Sequence, residues 1–161
     1  MRPRLDYRRN PMFQAFLPAM EAAHRMIIES SLDATVQELV RIRVSQINGC
    51  SFCVGLHTRD AMAAGEDPQR LHLLAAWREA PLYTDAERAA LELAETATRI
   101  ADGGHVGDDI WERAGAHYDE QQLAALAALI AAMNAFNRIN AMVRQPAFRW
   151  AAARPEQLNR D

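Results

Sequence analysis

The sequence contains two cysteines, Cys50 and Cys53, and a histidine, His57, follows the second by four residues. On a helix these positions share one face, so both sulfurs and the imidazole point into one small volume. Two thiols at this spacing can open and close a disulfide, especially in a first helical turn, where the backbone adjusts more easily than in a helix interior. The pattern therefore indicates a redox pair with a base beside it.

Two other interpretations of the cysteines stay open at this point. They can be small buried hydrophobic residues, or they can join His57 and Glu38 in a tetrahedral metal site. The sequence has no second pair of cysteines or histidines at ligand spacing, which weighs against the metal. It also lacks the βαβ pattern that surrounds a thioredoxin-type C-x-x-C. The redox interpretation leads, and we predict no metal and no cofactor.

Helical patterns recur along the chain and strand patterns do not, so the sequence predicts an all-α fold. The first helix is expected over 18–30, with Met20, Ala23, Ile27 and Ile28 facing inward. A second helix starts at the capping residue Asp33 and runs through 46. Its inward positions are expected to be Val36, Leu39, Val40, Ile42 and Val44.

The elements after the Asn48-Gly49 break follow from capping signals. The third helix is expected from about Cys50 to Ala64, which places both cysteines in its first turn. A short helix opens at 67–68, and a Thr84/Glu87 capping box opens another that is expected to end at 102–104. Later starts are expected at 108–109 and at Asp119, from which the longest helix runs to about Val143.

Two positional arguments bear on how the cysteines react. The amide groups at a helix N-terminus favour a thiolate, and this effect favours Cys50, which lies nearer the helix end. Glu38 lies on the preceding helix. If the Asn48-Gly49 break folds the two helices together, its carboxylate can face His57 or Cys50 and complete a proton relay.

The 161-residue length predicts one domain, 1–161, made of an N-terminal segment 1–32, a redox motif 33–65 and the remaining helices 66–161. A net charge of −3 argues against a nucleic-acid partner. No secretory signal is recognised, so a cytoplasmic location is predicted. The longest apolar run, 123–136, is shorter than a membrane-spanning helix needs, so no membrane partner is expected.

The segment ELVRIRVSQINGCSFCVGLHTRDAMAAG, residues 38–65, resembles the core motif of the alkylhydroperoxidase AhpD / carboxymuconolactone decarboxylase superfamily. The shared features are the glutamate twelve positions before the first cysteine, the Asn-Gly corner, the C-x-x-C, the histidine four residues later and the closing glycine. Residues 77–95 and 134–141 also resemble later helices of the family. The resemblance covers most of the chain.

This resemblance implies an AhpD-like helical bundle with the C-x-x-C at the N-terminus of a helix, and a thiol-dependent peroxidase. In that branch the second cysteine, here Cys53, attacks the hydroperoxide, and the first, Cys50, resolves the sulfenic acid. Glu38 and His57 match the family's proton relay, and the implied reductant is a dithiol or lipoyl-type protein. AhpD has a histidine directly before the second cysteine, where this chain has Phe52.

The helix-end argument favours Cys50 as the more acidic thiol, whereas the resemblance favours Cys53. We follow the resemblance, because access to a general base can outweigh a dipole effect of about 1 kcal/mol. Two alternative functions remain: a carboxymuconolactone decarboxylase-like lyase, which works without a cysteine pair, and a non-catalytic oligomeric binding protein. Peroxide-dependent disulfide formation separates all three.

The predicted last helix is apolar nearly all round over 123–136, and one domain can cover only part of such a helix. We therefore expect a homo-oligomer. The resemblance implies trimers or hexamers built from dimers, and the segment before Asp33 would supply dimer arms, so a homohexamer is preferred and a trimer comes next.

Overall fold

The computed structural model describes residues 2–6, 9–148 and 150, and within these ranges it contains eight α-helices, one short 3-10 helix and no strand. The all-α prediction is confirmed. In chain order the helices are α1 (Pro11–Ile28), α2 (Ala34–Ile47), α3 (Ser51–Ala63), α4 (Pro68–Leu73), the 3-10 helix (Leu74–Ala76), α5 (Asp85–Thr98), α6 (Ile100–Gly103), α7 (Asp108–Gly115) and α8 (Glu120–Val143).

The first helix begins at Pro11, about two turns before the predicted start at Pro18. The side chain of Asn10 caps it by accepting hydrogen bonds from the amides of Met12 and Phe13, and Pro11 fits the first helical position because no intrahelical partner is needed there. The prediction mistook an internal proline for a helix start. Of the two isoleucines expected to face inward, Ile27 is buried and Ile28 is 52% exposed.

Most of the predicted helix starts are confirmed, and one helix end was wrong. Thr84 and Glu87 bond reciprocally at the start of α5, and Asp119 does the same with Gln122 at the start of α8. The fifth helix ends at Thr98 instead of continuing to 102–104. The backbone leaves helical geometry at the next residue, and the last predicted turn forms a separate short helix, α6.

Helix α2 lies at the centre of the bundle and packs against α3, α5 and α8. All five of its residues predicted to face inward are buried. Val36, Val40 and Val44 join one hydrophobic cluster with residues of α8, while Leu39 and Ile42 join a second cluster around Trp77. A helix buried on two faces is held rigidly, so α2 is a firm base for any functional side chain that it carries.

The 24-residue helix α8 is long and apolar enough, by length and composition alone, to cross a membrane. The sequence predicted the length of this helix, but the expectation about membrane crossing rested on the apolar run 123–136 alone. Its packing explains the composition, since Leu126, Leu129 and Met133 are buried against the rest of the bundle. Helix α8 is thus the core helix of a helical domain. The predicted domain boundary at 161 lies outside the described residues and stays a prediction.

Candidate active site

A tight corner between α2 and α3 positions the cysteine pair. Gly49 adopts a φ of +66°, a left-handed conformation that a residue without a Cβ takes at little cost. The amide of Cys50 then donates to the carbonyl of Ser45 at 3.0 Å, which reverses the chain and starts α3 beside α2. The predicted Asn-Gly break is therefore the turn that brings the two helices together.

Asparagines of α8 hold this corner from behind. The side-chain amide of Asn48 donates to Asn134 at 2.9 Å and to Asn137 at 3.1 Å. Asn137 is fully buried and donates to the hydroxyl of Ser45 at 3.1 Å. Because buried polar groups are costly to leave unpaired, this network fixes α8 against the corner in one arrangement.

The two cysteines form a disulfide at the start of α3, with their Cα atoms 5.4 Å apart. Cys50 is the N-cap residue, and its sulfur accepts a hydrogen bond from the backbone amide of Cys53 at 3.3 Å. Both side chains are buried, with exposed fractions of 4% and 3%. On the other side of the pair, the side-chain amide of Asn140 lies 3.3 Å from the sulfur of Cys53.

Glu38 and His57 meet across the corner, as the sequence predicted. Nδ1 of His57 lies 3.1 Å from one carboxylate oxygen of Glu38, and the guanidinium of Arg41 donates to the other oxygen at 2.5 Å. Burial raises the pKa of Glu38, but the hydrogen bond from His57 and the charge and hydrogen bond of Arg41 outweigh burial, and the net pKa is lowered. The carboxylate is therefore ionised at neutral pH.

An ionised Glu38 decides which nitrogen of the imidazole carries the proton. A carboxylate only accepts hydrogen bonds, so Nδ1 of His57 must be the donor. The other ring nitrogen of the neutral imidazole is then unprotonated. His57 can take up a proton there, and the carboxylate stabilises the imidazolium that results.

A cavity of about 360 Å³ opens onto the pair from one side. It is lined by Cys53 and His57, together with apolar side chains of α1, α3 and α8: Leu17, Phe52, Leu56, Met133, Phe136 and Ile139. Cys50 is not among its lining residues, so a molecule in the cavity meets the sulfur of Cys53. A larger cavity of about 630 Å³ lies beyond Phe52 and is lined by neither cysteine.

His24 of α1 lines the same cavity. Its ring packs edge-on against Phe136 with 5.9 Å between centroids, and its buried Nδ1 has no hydrogen-bond partner among the described residues. Burial, followed by the nearby positive charge of Arg41, lowers the pKa of His24 to about 4. The imidazole is thus neutral at pH 7, and one of its nitrogens is buried without a hydrogen-bond partner among the described residues.

The profile of the carboxymuconolactone decarboxylase family matches residues 11–96, more than half of the chain. The chain belongs to the carboxymuconolactone decarboxylase family. The match includes α1, α2, α3 and most of α5, and therefore Glu38, both cysteines and His57.

Relatives within this family agree with the assignment. The chain is 46% identical over 112 residues to the uncharacterized protein YdfG of Bacillus subtilis, covering 70% of this chain and 76% of the relative. The crystal structure of ATU0492, an Agrobacterium tumefaciens protein of unknown function whose name links it to the antioxidant defence protein AhpD, superposes with a TM-score of 0.86 at 33% identity. That superposition covers 92% of this chain and all of the other.

A peroxidase-related protein of Silicibacter superposes with a TM-score of 0.71 at 25% identity, over 80% of this chain and 68% of that one. The all-helical family fold with its cysteine pair is therefore AhpD-like, as the sequence resemblance implied. Among the described residues, no group of three or more histidine, cysteine, aspartate or glutamate side chains is arranged to hold a metal ion.

The structure brings together all four residues that the sequence singled out, Cys50, Cys53, Glu38 and His57. Sequence reasoning missed three residues that lie beside these four: Arg41, His24 and Asn140. Arg41 carries a detectable signal, because it follows Glu38 by three residues on the same helix and so can pair with it. His24 has no spacing relationship to the cysteine motif, and Asn140 lies 87 residues from the sulfur that it contacts.

Proposed function

We propose that this protein is a thiol-dependent, alkylhydroperoxidase-like oxidoreductase that reduces hydroperoxides through Cys50 and Cys53, with Glu38 and His57 as a proton relay. One observation carries the proposal: Cys53 and His57 line the same cavity, while the Glu38 carboxylate holds the imidazole from the far side. The AhpD link in the name of the Agrobacterium relative and the peroxidase-related name of the Silicibacter protein support the same class.

In the first half-reaction, His57 removes the proton of the Cys53 thiol. The thiolate attacks the terminal oxygen of the hydroperoxide, so that an S–O bond forms and the O–O bond breaks. The alkoxide that leaves takes the proton from the imidazolium and departs as an alcohol. The sulfur loses two electrons and the peroxide gains them, while the Glu38 charge stabilises the transient imidazolium.

In the second half-reaction, the sulfur of Cys50 attacks the sulfenic acid on Cys53. The S–S bond forms, the S–O bond breaks, and the leaving hydroxide takes up the proton that the Cys50 thiol loses and departs as water. The disulfide in the structure corresponds to this oxidised end of the cycle. A dithiol or lipoyl-type reductant then restores both thiols by exchange.

The cavity indicates the kind of peroxide that fits. Most of its lining side chains are apolar, and His24 is neutral at pH 7. An uncharged organic hydroperoxide can bury its carbon chain there. Phe52 supplies an apolar wall at the position where AhpD has a histidine.

Peroxide-dependent disulfide formation tests the proposal. The protein is reduced, freed of reductant, treated with one equivalent of an organic hydroperoxide and examined by mass spectrometry. We expect the loss of two hydrogens through a Cys50–Cys53 disulfide, no oxidation of the Cys53→Ser variant and a trapped sulfenic acid on Cys53 in the Cys50→Ser variant. Ser51→Ala, at an exposed neighbouring position, serves as the matched control and should behave as wild type.

Thiols that stay unchanged after prolonged treatment would rule out the peroxidase function and favour either the lyase or the non-catalytic binding protein. A decarboxylase-like lyase would then act on a lactone without the thiols, and a non-catalytic oligomeric binding protein would do neither. A sulfenic acid that appears on Cys50 would instead reverse the two cysteine roles.

The proposal extends to the setting of the enzyme. A dithiol cycle needs a reducing compartment, so we place the protein in the cytoplasm, with no nucleic acid or membrane as partner. We also propose a homohexamer, with a trimer next. Large apolar side chains exposed on one chain, including Phe16, Ile100, Trp111 and Met142, support burial against other copies.

A further inference from the structure

The side chain of Asn140 contacts the reacting sulfur from the opposite end of the chain. Its Nδ2 lies 3.3 Å from Sγ of Cys53, and Asn140 lines the same cavity as that sulfur. We propose that Asn140 is a catalytic residue that stabilises the thiolate of Cys53, and that this contact makes Cys53 rather than Cys50 the attacking sulfur. Only the identity of the molecule attacked rests on the proposed function.

The two sulfurs receive different hydrogen-bond donors. Cys50 receives the backbone amide of Cys53 at the helix end, which is the effect that favours Cys50 as the more acidic thiol. Cys53 receives a side-chain amide from a different helix, α8. The N–H···S contact to a neutral sulfur becomes charge-assisted when Cys53 ionises, and charge-assisted hydrogen bonds are about twice as strong as neutral ones. The hydrogen bond from Asn140 thereby offsets the helix-end effect that favours Cys50 as the more acidic thiol.

The donor is also fixed in place and always available. Other asparagines of α8 bond the corner before Cys50, so α8 cannot shift relative to the pair without breaking that network. Cys53 is only 3% exposed, so water cannot readily replace a lost donor. An amide does not titrate, so Asn140 donates at every pH while His57 gains and loses the thiol proton.

The test measures the acidity of Cys53 directly. In reduced protein carrying Cys50→Ser, Cys53 is the only thiol, and its ionisation is followed by thiolate ultraviolet absorbance and by the pH dependence of alkylation with iodoacetamide. Asn140→Ala should raise the apparent pKa of Cys53 by about one to two units, the effect of losing one hydrogen bond to a charged group. Asn140→Asp, nearly the same shape, should raise it further, because a carboxylate has no donor and repels the thiolate.

Two controls separate this role from general packing. Gln121→Ala removes an exposed side-chain amide of the same helix that takes no part in the network at the corner, and it should leave the pKa of Cys53 unchanged. In protein carrying Cys53→Ser, Asn140→Ala should leave the pKa of the Cys50 thiol unchanged. A helical circular dichroism spectrum equal to that of wild type, recorded for Asn140→Asp, establishes that the fold is intact.

An unchanged Cys53 pKa in both Asn140 variants would overturn the proposal. An equal shift in the pKa of Cys50 would overturn it as well. The titration needs no peroxide. Absence of hydroperoxide reduction would therefore defeat the proposed function while a raised Cys53 pKa in the variants still supported the role of Asn140.

Discussion

Nδ1 of His57 lies 3.1 Å from the carboxylate of Glu38, although the two residues belong to different helices and are 19 positions apart. The turn at Gly49 folds α3 back along α2 and creates this pair. The ionised carboxylate orients an imidazole that lines the same cavity as Cys53, and the next prediction follows from that arrangement.

Glu38→Gln and His57→Ala should each slow the oxidation of Cys53 by hydroperoxide at neutral pH, by the roughly 10² to 10⁴-fold that general-base catalysis supplies. Raising the pH should partly restore both rates, because solvent then produces the thiolate. Stopped-flow measurement of the reduced protein across pH checks this. The exposed residues Glu79 and His72 provide controls as Glu79→Gln and His72→Ala, and relay variants with wild-type rates at every pH would mean that both side chains only pack.

Arg41 pairs with Glu38 while its own side chain is 4% exposed. Removing one partner of a buried ion pair leaves the other charge uncompensated, so Arg41→Met should lower the free energy of unfolding by about 3 kcal/mol, measured by urea denaturation. The exposed pair of Arg59 with Asp60 is the control, because Arg59→Met should change the free energy of unfolding by less than about 1 kcal/mol. Equal stability of the two variants would contradict the prediction.

His24 should make the protein less stable in mild acid. Its pKa is about 4 in the folded protein against 6.5 for the free side chain, so between these values the unfolded chain binds more protons than the folded one. Its contribution to stability is complete above pH 6.5 and is lost as pH falls toward 4. The lowered pKa of Glu38 acts at lower pH, because its ordinary value is 4.5.

Urea denaturation at pH 7 and pH 5 isolates the effect of His24. Wild type should lose more stability between these two values than His24→Gln does. The variant of an exposed histidine, His105→Gln, should keep the wild-type pH dependence. If His24→Gln is as sensitive to pH as wild type, the histidine is protonated in the folded protein.

Two glycines near the cysteines should respond to alanine with opposite signs. Gly49→Ala forces a left-handed conformation on a residue with a Cβ and should destabilise the protein by roughly 1–2 kcal/mol. Gly55 lies inside α3, where an added Cβ meets no atom within 4 Å, so Gly55→Ala should stabilise by about 0.5–1 kcal/mol. Thermal unfolding of both variants is the measurement, and a shift of the same sign in both would show that backbone conformation does not govern the corner.

The oligomeric state follows from the apolar surface of the single chain. Light scattering at micromolar concentration should give a mass near six times the 18 kDa of one chain, or near three times the mass of one chain if the trimer forms. Trp111→Glu, which places a charge on an exposed apolar side chain, should weaken assembly if that face is buried between subunits. A stable wild-type monomer would mean that the exposed apolar side chains face solvent.

Local signals in the sequence were sufficient for most of the helix starts and for the contact between Glu38 and His57. The capping residues Asp33, Thr84 and Asp119 act within one turn, so their side-chain bonds follow from neighbours in the chain. Glu38 and His57 could be paired in advance because one short corner, with a glycine in it, links their helices.

The rest of the site depends on packing between distant segments. Asn140 reaches Cys53 only because α8 lies against α2 and α3, and no spacing rule connects positions 87 residues apart. His24 looked unremarkable because its low pKa arises from burial beside α8 and from the charge of Arg41, neither of which is local to α1. The predicted helix start at Pro18 was wrong because a local signal was overinterpreted. Proline often marks the first turn of a helix, but Pro18 lies inside a helix that Asn10 caps.

The cysteines are only three positions apart, so their bridge closes a very short loop. In the chain-entropy account, the stabilisation from a disulfide grows with the length of the loop that it closes, and for so short a loop it amounts to only about 2 kcal/mol. The helices around the pair are also held by the α2 cluster around Trp77 and by the bonds of Asn48 to Asn134 and Asn137, which involve neither sulfur. We therefore expect reduction of this disulfide to be largely decoupled from folding, so that the chain can take its dithiol and disulfide forms without an order–disorder transition.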